Sequence, residues 1–450
     1  MKENTHLTII GGGITGLATA YIAAKSGQKV TVVEGSHKFG GLLDTFEIGG
    51  NRLEHYYHHF FTHDAELNWL IKELGIADEL FFKKTSMGVF RDGKIYDFNS
   101  PFDLLKFKPI GFLGKIKFGL SSIILGKFLD WRKYEHVSTL DWFYRWLGKP
   151  TTNALWKPLL DIKFGPFASK VPLAWMIGRL AQRLNSRKGG DERLGYLQGS
   201  LKTLSDALLD KLKTMGVELI ANEQLTAFKI ENKVLTGVQT TSRTFEGGQF
   251  LVTIPSLYLP ELLKKDAPKL ASAFEKIEYF GAVCTILELK KPLSHVYWLN
   301  VADEGYPFGG VIEHTNFIPS ELYGGSSIVY LSRYFAHDDA LMTMTNSEIE
   351  AVMIPPMKKI YPDFSEADIK QVYVFKTKTA ATVCDLDFSK KVPDCKTEIT
   401  NLFVANMAHI YPDERSTNNS IRVAAESCRV MNIPADFVPN GSSLSGKIGF

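Results

Sequence analysis

Three histidines stand within five residues in Asn51-Arg52-Leu53-Glu54-His55-Tyr56-Tyr57-His58-His59-Phe60-Phe61. Imidazole takes up and releases protons near neutral pH, so the stretch suits a proton donor or acceptor, with His58 and His59 as candidate catalytic residues. The plain alternative is that these rings pack a loop and bond backbone carbonyls. No metal site is expected, since only Glu54 and Asp64 stand nearby as further ligands. A second pattern is Arg179, Arg183 and Arg187, every fourth residue and therefore on one helix face. Guanidinium groups fork onto phosphate or carboxylate, which makes Arg179 and Arg183 candidate substrate residues for an anion such as a sugar nucleotide. Such a row is otherwise a solvated face.

A third pattern binds rather than reacts. Gly11-Gly12-Gly13-Ile14-Thr15-Gly16 follows the apolar run Leu7-Thr8-Ile9-Ile10 and opens an alanine-rich segment, Leu17 to Ala24. That order predicts a buried strand, a tight turn and a helix whose free N–H groups and dipole hold a pyrophosphate. Gly11 makes the turn, Gly13 admits the phosphates, and Gly16 lets helix and strand pack closely. Ser26-Gly27 ends the helix, and Lys29 to Glu34 reads as a second buried strand ending in an acid. Glu34 falls at the spacing where a carboxylate receives adenosine ribose hydroxyls. Gly40-Gly41 then supplies bare backbone that can run beside the middle of a long cofactor.

These residues need a scaffold, and the chain is long enough for two domains: 450 residues, 45% hydrophobic and 22% charged. The formal charge of +3 is too small to argue for nucleic acid. Cys284, Cys384, Cys395 and Cys428 are scattered without zinc-like spacing, which predicts reduced thiols in a cytoplasmic protein. The N-terminus runs straight into the first strand and leaves no room for a signal peptide. Residues 110–131 mix apolar side chains with Lys115, Lys117 and Lys127, so they fall short of a membrane span. They suit either a helix lying on a membrane surface or, the favoured reading, a core helix of a second domain. Helices are expected over 64–74 and from Leu201 to Leu212, and a hairpin over 87–98 turning at Arg91-Asp92-Gly93-Lys94. Phe280 to Leu289 and Ile328 to Leu331 read as strands, with Tyr297, Trp298, Tyr306 and Phe308 as pocket or core aromatics. The tail from Asn440 is rich in Gly and Ser.

The glycine turn, Glu34 and Gly40-Gly41 together resemble the flavin-binding signature of the flavin amine oxidase and protoporphyrinogen oxidase superfamily, to which phytoene desaturases and UDP-galactopyranose mutases are related. Trp156-Lys157-Pro158, Lys163-Phe164-Gly165 and Tyr411-Pro412-Asp413-Glu414-Arg415 are similar to its protoporphyrinogen-oxidase-like bacterial members. The resemblance implies an α/β fold: a Rossmann-type, GR2-like FAD-binding domain (1–86, 195–275 and 395–436). Into it would be inserted a mixed α+β substrate domain (a helical part, 87–194, and a sheet, 276–394), with a loose tail at 437–450. It implies FAD as cofactor, with Gly11, Gly13, Ile14, Thr15 and Gly16 at the pyrophosphate and Glu34 at the ribose. Gly40, Gly41 and Leu42 would lie near its middle, Leu225 at the adenine end, and Asn406 and Asn419 towards the flavin. Many amine oxidases carry arginine where this chain has Leu42, which speaks against amine oxidase activity proper. The expected activity is hydride removal from a C–N or C–C bond of a small molecule. The alternatives are a non-redox flavoenzyme acting on a nucleotide sugar and a flavin-binding subunit without turnover.

Overall fold

The computed structural model describes residues 6–188, 191–336 and 339–441. Leu7–Ile10, Val30–Val33, Gln249–Val252 and Leu402–Val404 are apolar and almost wholly buried. With Glu218–Ile220 they form a five-stranded parallel sheet in which Leu7–Ile10 is central, flanked by Val30–Val33 and Gln249–Val252. Strands of this kind are covered on both faces, which is why they read as continuous apolar runs. One cover is the helix Ile14–Lys25, which packs against the closing helix Thr417–Val430.

The turn between first strand and first helix is held by unusually close contacts. Gly11 has φ +114°, and Thr253 Oγ1 donates to the carbonyls of Ile10 and Gly11, each at 3.1 Å. A Cβ on Gly16 would lie 2.0 Å from the Gly11 carbonyl oxygen, so no side chain fits there. Gly13 is different. Its φ of −75° is open to any residue, and a Cβ would meet nothing within 4 Å. The Gly40 N–H donates to the Gly12 carbonyl at 2.9 Å, knitting the second glycine pair onto the first.

A seven-stranded sheet forms the other lobe, in the order Ile369–Thr382, Tyr279–Leu289, Ser327–Phe335, Gly310–Glu313, Trp298–Val301, Met87–Arg91, Lys94–Asp97. The hairpin expected over 87–98 is its outer pair. The strand Asp191–Leu197 crosses the expected division at 194/195 and pairs with Leu80–Lys84 and Phe60–Phe61. Helices expected at 64–74 and 201–212 are present as Ala65–Glu73 and Lys202–Thr214. The expected tail lies, beyond Gly441, outside the described residues.

Two expectations are corrected. The helix Phe112–Lys127 is not a core helix: only Phe118 and Leu125 of it are buried. Beside these two, its packed face brings glycine backbone close to its neighbours. A Cβ on Gly114 would come 2.4 Å from Thr151 Oγ1, and one on Gly126 2.6 Å from a Leu184 methyl. The close approach of glycine backbone therefore chose the inner face and left large apolar side chains outside. The second correction concerns the arginine row. The helix Leu173–Asn185 carries Arg179 and Arg183 but ends before Arg187, which begins the short strand Arg187–Lys188. The side chain of Arg187 lies outside the described residues. No described helix is long and apolar enough to cross a membrane.

The 2.0 Å contact yields a test. Gly16→Ala should destabilise the fold by about 3 kcal/mol, because backbone rather than a movable side chain blocks the methyl. Urea denaturation of the two proteins measures the difference.

Candidate active site

The dinucleotide cradle begins where the glycine turn meets Glu34. The Glu34 carboxylate accepts from the Gly12 N–H at 2.7 Å and the Ser36 N–H at 2.8 Å. Both oxygens are oriented, and each keeps a lone pair for a further donor. The first helical bond runs from Leu17 N–H to the Gly13 carbonyl, so the N–H groups of Ile14, Thr15 and Gly16 have no partner within the helix. Gly41, at φ +58°, places its own missing Cβ 3.2 Å from Gly13 Cα. Gly13, Gly40 and Gly41 thus make a wall of bare backbone, with half-buried Leu42 beside it. The cleared space at Gly13 fits an extended pyrophosphate: nothing in the protein needs glycine there. Leu225 packs with Ile10 and Val33 against the sheet.

At the far end, Ser416 caps the closing helix by accepting from Asn419 N–H at 3.1 Å. Asn419 in turn donates from its carboxamide to the Glu414 carbonyl at 2.8 Å. Asn406 is consumed internally. Its Nδ2 donates to the Ile254 carbonyl at 2.8 Å and to Ser256 Oγ at 3.0 Å, while its Oδ1 accepts from Ala408 N–H at 3.0 Å. It shapes the loop after the last strand and has no donor to spare.

The histidine stretch runs from the strand Asn51–Glu54 to Phe60–Phe61. Glu54 anchors it. Its carboxylate is buried, accepting from Tyr196 Oη and Leu201 N–H at 2.6 Å each, and its carbonyl accepts from Tyr330 Oη at 2.8 Å. Burial pushes this carboxyl up, and the two donors oppose the rise. Of the three histidines, His55 stacks on Phe375 with ring centres 4.0 Å apart, a packing role. His58 Nδ1 lies 2.5 Å from the Tyr56 carbonyl, and His59 sits among Phe61, Tyr297 and Trp298.

The two site patterns, more than a hundred residues apart in sequence, meet here. The charges of Arg183 and Arg179 reach His59, and that of Arg415 reaches His58. Burial and these charges pull His58 down to about 4 and His59 well below its usual value. Both imidazoles are therefore neutral at neutral pH, the form that can accept a proton. Arg179 pairs with Glu414, and Arg183 pairs with Glu192 at 2.8 Å.

Four further members carried no role in the sequence. Lys163 Nζ lies 2.8 Å from Glu414 and 4.8 Å from the centre of the Trp175 ring. Burial, then the charges of Arg179 and Arg415, pull its ammonium down to about 7. Arg415 donates to Tyr334 Oη at 2.7 Å. Burial works to raise the Tyr334 phenol, but Arg415 and Lys163 outweigh it and leave it below its usual value. The available signals were the stretches holding Lys163 and Glu414-Arg415, noticed as resemblance alone. Side-chain exposures of 28% for Lys163, 26% for Arg179 and 20% for Arg183 show a solvent-reachable recess rather than a sealed core. Among the described residues it holds Lys163, Arg179, Arg183 and Arg415 against Glu192 and Glu414, a balance that stays positive even with Lys163 partly neutral near pH 7. Of the aromatics, Trp298 is part-exposed beside His59, Tyr297 and Phe308 are core, and Tyr306 packs on Phe90 elsewhere. The four cysteines are unpaired and buried.

Comparison with known proteins agrees with this geometry. Residues 14–383 match the family described as flavin containing amine oxidoreductase. The 15-cis-phytoene desaturase of Arabidopsis thaliana is 22% identical over 426 residues, covering 87% of this chain and 72% of that one. A candidate protoporphyrinogen oxidase from Exiguobacterium sp. 255-15 superposes with a TM-score of 0.75 at 16% identity, covering 95% of this chain and 99% of the other. Reduced UDP-galactopyranose mutase gives the same TM-score at 13% identity, over 98% and 96% of the two chains. The family match, which spans most of the chain, and the α/β fold with its glycine cradle make this protein a member of the flavin containing amine oxidoreductases, an FAD-dependent oxidoreductase.

Proposed function

We propose that the recess around His58 and His59 takes a small anionic substrate and oxidises it beside the flavin. The observation that carries this reading is the surplus of positive charge that Lys163, Arg179, Arg183 and Arg415 place around two neutral imidazoles. Arg179 and Arg183 hold a carboxylate or phosphate of the substrate by forked hydrogen bonds. When bound, FAD supplies a hydride acceptor for a C–N or C–C bond. The chain's own part is the proton. As the hydride leaves the donor carbon, His58 or His59 accepts the proton lost from the neighbouring atom. Seating an anion beside these rings offsets Arg183 and Arg415 and raises their basicity, so the base strengthens only when substrate is present. Trp298 and Tyr297 keep water from the base.

In the same reading Gly11, Gly13, Ile14, Thr15 and Gly16 hold the pyrophosphate and Glu34 the ribose. Gly40, Gly41 and Leu42 line the middle, Leu225 the adenine end, and Asn419 the start of the closing helix, with Asn406 fixing the loop before it. The four cations support a second reading: the diphosphate of a nucleotide sugar in a reaction without net oxidation. Turnover only after reduction by dithionite, with no acceptor consumed, would select it.

Three measurements test the first reading. Gly13→Ala should keep stability within about 1 kcal/mol of the parent yet emerge depleted of flavin, since the methyl enters space that only the cofactor needs. Stability matched by unchanged flavin content would remove the pyrophosphate from this turn. Anaerobic loss of the flavin's visible band on adding candidate amines or porphyrinogens identifies substrates; with an anionic one, Arg179→Gln should raise KM about tenfold or more and lower kcat less. The pH profile gives the third. The acid limb of kcat/KM, which reports the free enzyme, should lie near 4, the value to which His58 is pulled. That of kcat should lie higher, because bound anion raises it. A kcat/KM limb at 6.5 or above would exclude these histidines as the base.

A further inference from the structure

We propose that the helix Phe112–Lys127, with the short helix Pro101–Lys106 before it, docks flat on an anionic phospholipid surface. Fourteen large apolar side chains are exposed among the described residues, and nine of them fall between positions 102 and 128. Phe102, Phe112 and Phe128 are the most exposed, at 74%, 73% and 73%, followed by Leu113 at 67%. Single exposed apolar residues need no explanation, but a contiguous patch of this size marks a surface that something covers.

The helix turns most of its large side chains away from the protein. Gly114 and Gly126 pack closely inward beside Phe118 and Leu125, while Phe112, Leu113, Ile116, Leu120, Ile123 and Ile124 face out. A helix packed merely to complete a core would place them the other way round. Lys115 Nζ donates to the Leu105 carbonyl at 2.6 Å, tying the two helices into one patch.

Charge names the occupant. Between 102 and 128 the chain carries Lys106, Lys108, Lys115, Lys117 and Lys127 against the single acid Asp103, whose carboxylate is spent capping the first helix. The segment is therefore net +4 within a chain whose formal total is only +3. Lysines bordering an apolar face attract anionic headgroups while the apolar side chains enter the acyl boundary. A second copy of the same face would bring five lysines against five lysines, so self-association is disfavoured. The helix cannot cross the bilayer, and so it lies along it.

The test uses the flavin-loaded protein and sedimentation with vesicles of phosphatidylcholine alone or mixed with phosphatidylglycerol. Binding should be at least about tenfold tighter to the mixed vesicles and should weaken as salt is raised. The double variant Phe112→Asp/Leu113→Asp should lose about tenfold or more of that binding. Lys106→Glu/Lys117→Glu should lose it too, through charge alone. Unchanged flavin absorbance in both variants shows that the fold is intact. Equal binding to both vesicle types, no binding to either, or variants that bind like the parent would each overturn the proposal. So would a dimer, seen by sedimentation equilibrium, that the apolar double variant abolishes.

Discussion

Bare backbone at two glycine turns is the constraint on which the rest of this structure depends. Gly11 to Gly13 and Gly40-Gly41 are stitched together by the Gly40 N–H to Gly12 carbonyl bond, and Gly16 lies against the Gly11 carbonyl. Two of these positions are glycine for the protein's sake: Gly11 for its φ, Gly16 for the contact behind it. Gly13 is glycine for no reason internal to the protein. An allowed backbone with open space in front is what a ligand-shaped requirement looks like once the ligand is taken out of consideration. Because Glu34 is held by the Gly12 N–H, the residue proposed to meet the ribose is positioned by the same turn proposed to meet the phosphates.

A second set of contacts carries that geometry across to the substrate lobe. Glu54 joins the strand before the histidines to Tyr196, to the start of the Lys202–Thr214 helix and, through its carbonyl, to Tyr330 in the seven-stranded sheet. A buried carboxyl with three donors around its residue is costly to disturb, since breaking one leaves polar groups unsatisfied. The rigid anchor fixes where His58 and His59 stand, while His55 packs on Phe375. Opposite them, the Leu173–Asn185 helix, the loop at Glu414-Arg415 and Lys163 of the helix Lys157–Phe164 bring four basic side chains into partly desolvated space. Glu192 and Glu414 offset part of that charge. Holding the remainder is unfavourable until an anion enters, so the electrostatic cost of the empty recess becomes selectivity for its ligand.

The nucleotide lobe was legible in the sequence because its signals are local. Apolar runs, a glycine turn and an acid at fixed spacing each lie within about forty residues, and the strands and first helix fell where those signals put them. The convergence of His59 with Arg183 was not legible, since it is made by the pairing of Asp191–Leu197 with Phe60–Phe61 and by the sheet at Tyr297. Lys163, Glu414 and Arg415 stood in stretches that drew notice only as resemblance, and Tyr334 gave no signal at all in an apolar strand. The Phe112–Lys127 helix was misread for an instructive reason. Its apolar residues fall on every side among the lysines, so periodicity cannot say which face turns inward. Close packing at Gly114 and Gly126 decided it. Arg187 shows the opposite failure: a correct helical spacing that outruns the helix, which stops at Asn185.

The central claim is that a cation-lined recess, open to solvent, adjoins the flavin. Titrating the flavin-loaded protein with inorganic pyrophosphate and following the visible absorbance tests it most directly. The account predicts a saturable change in the flavin bands that persists when ionic strength is held constant with chloride. A spectrum that does not move at saturating pyrophosphate, or that moves equally with chloride alone, would contradict it.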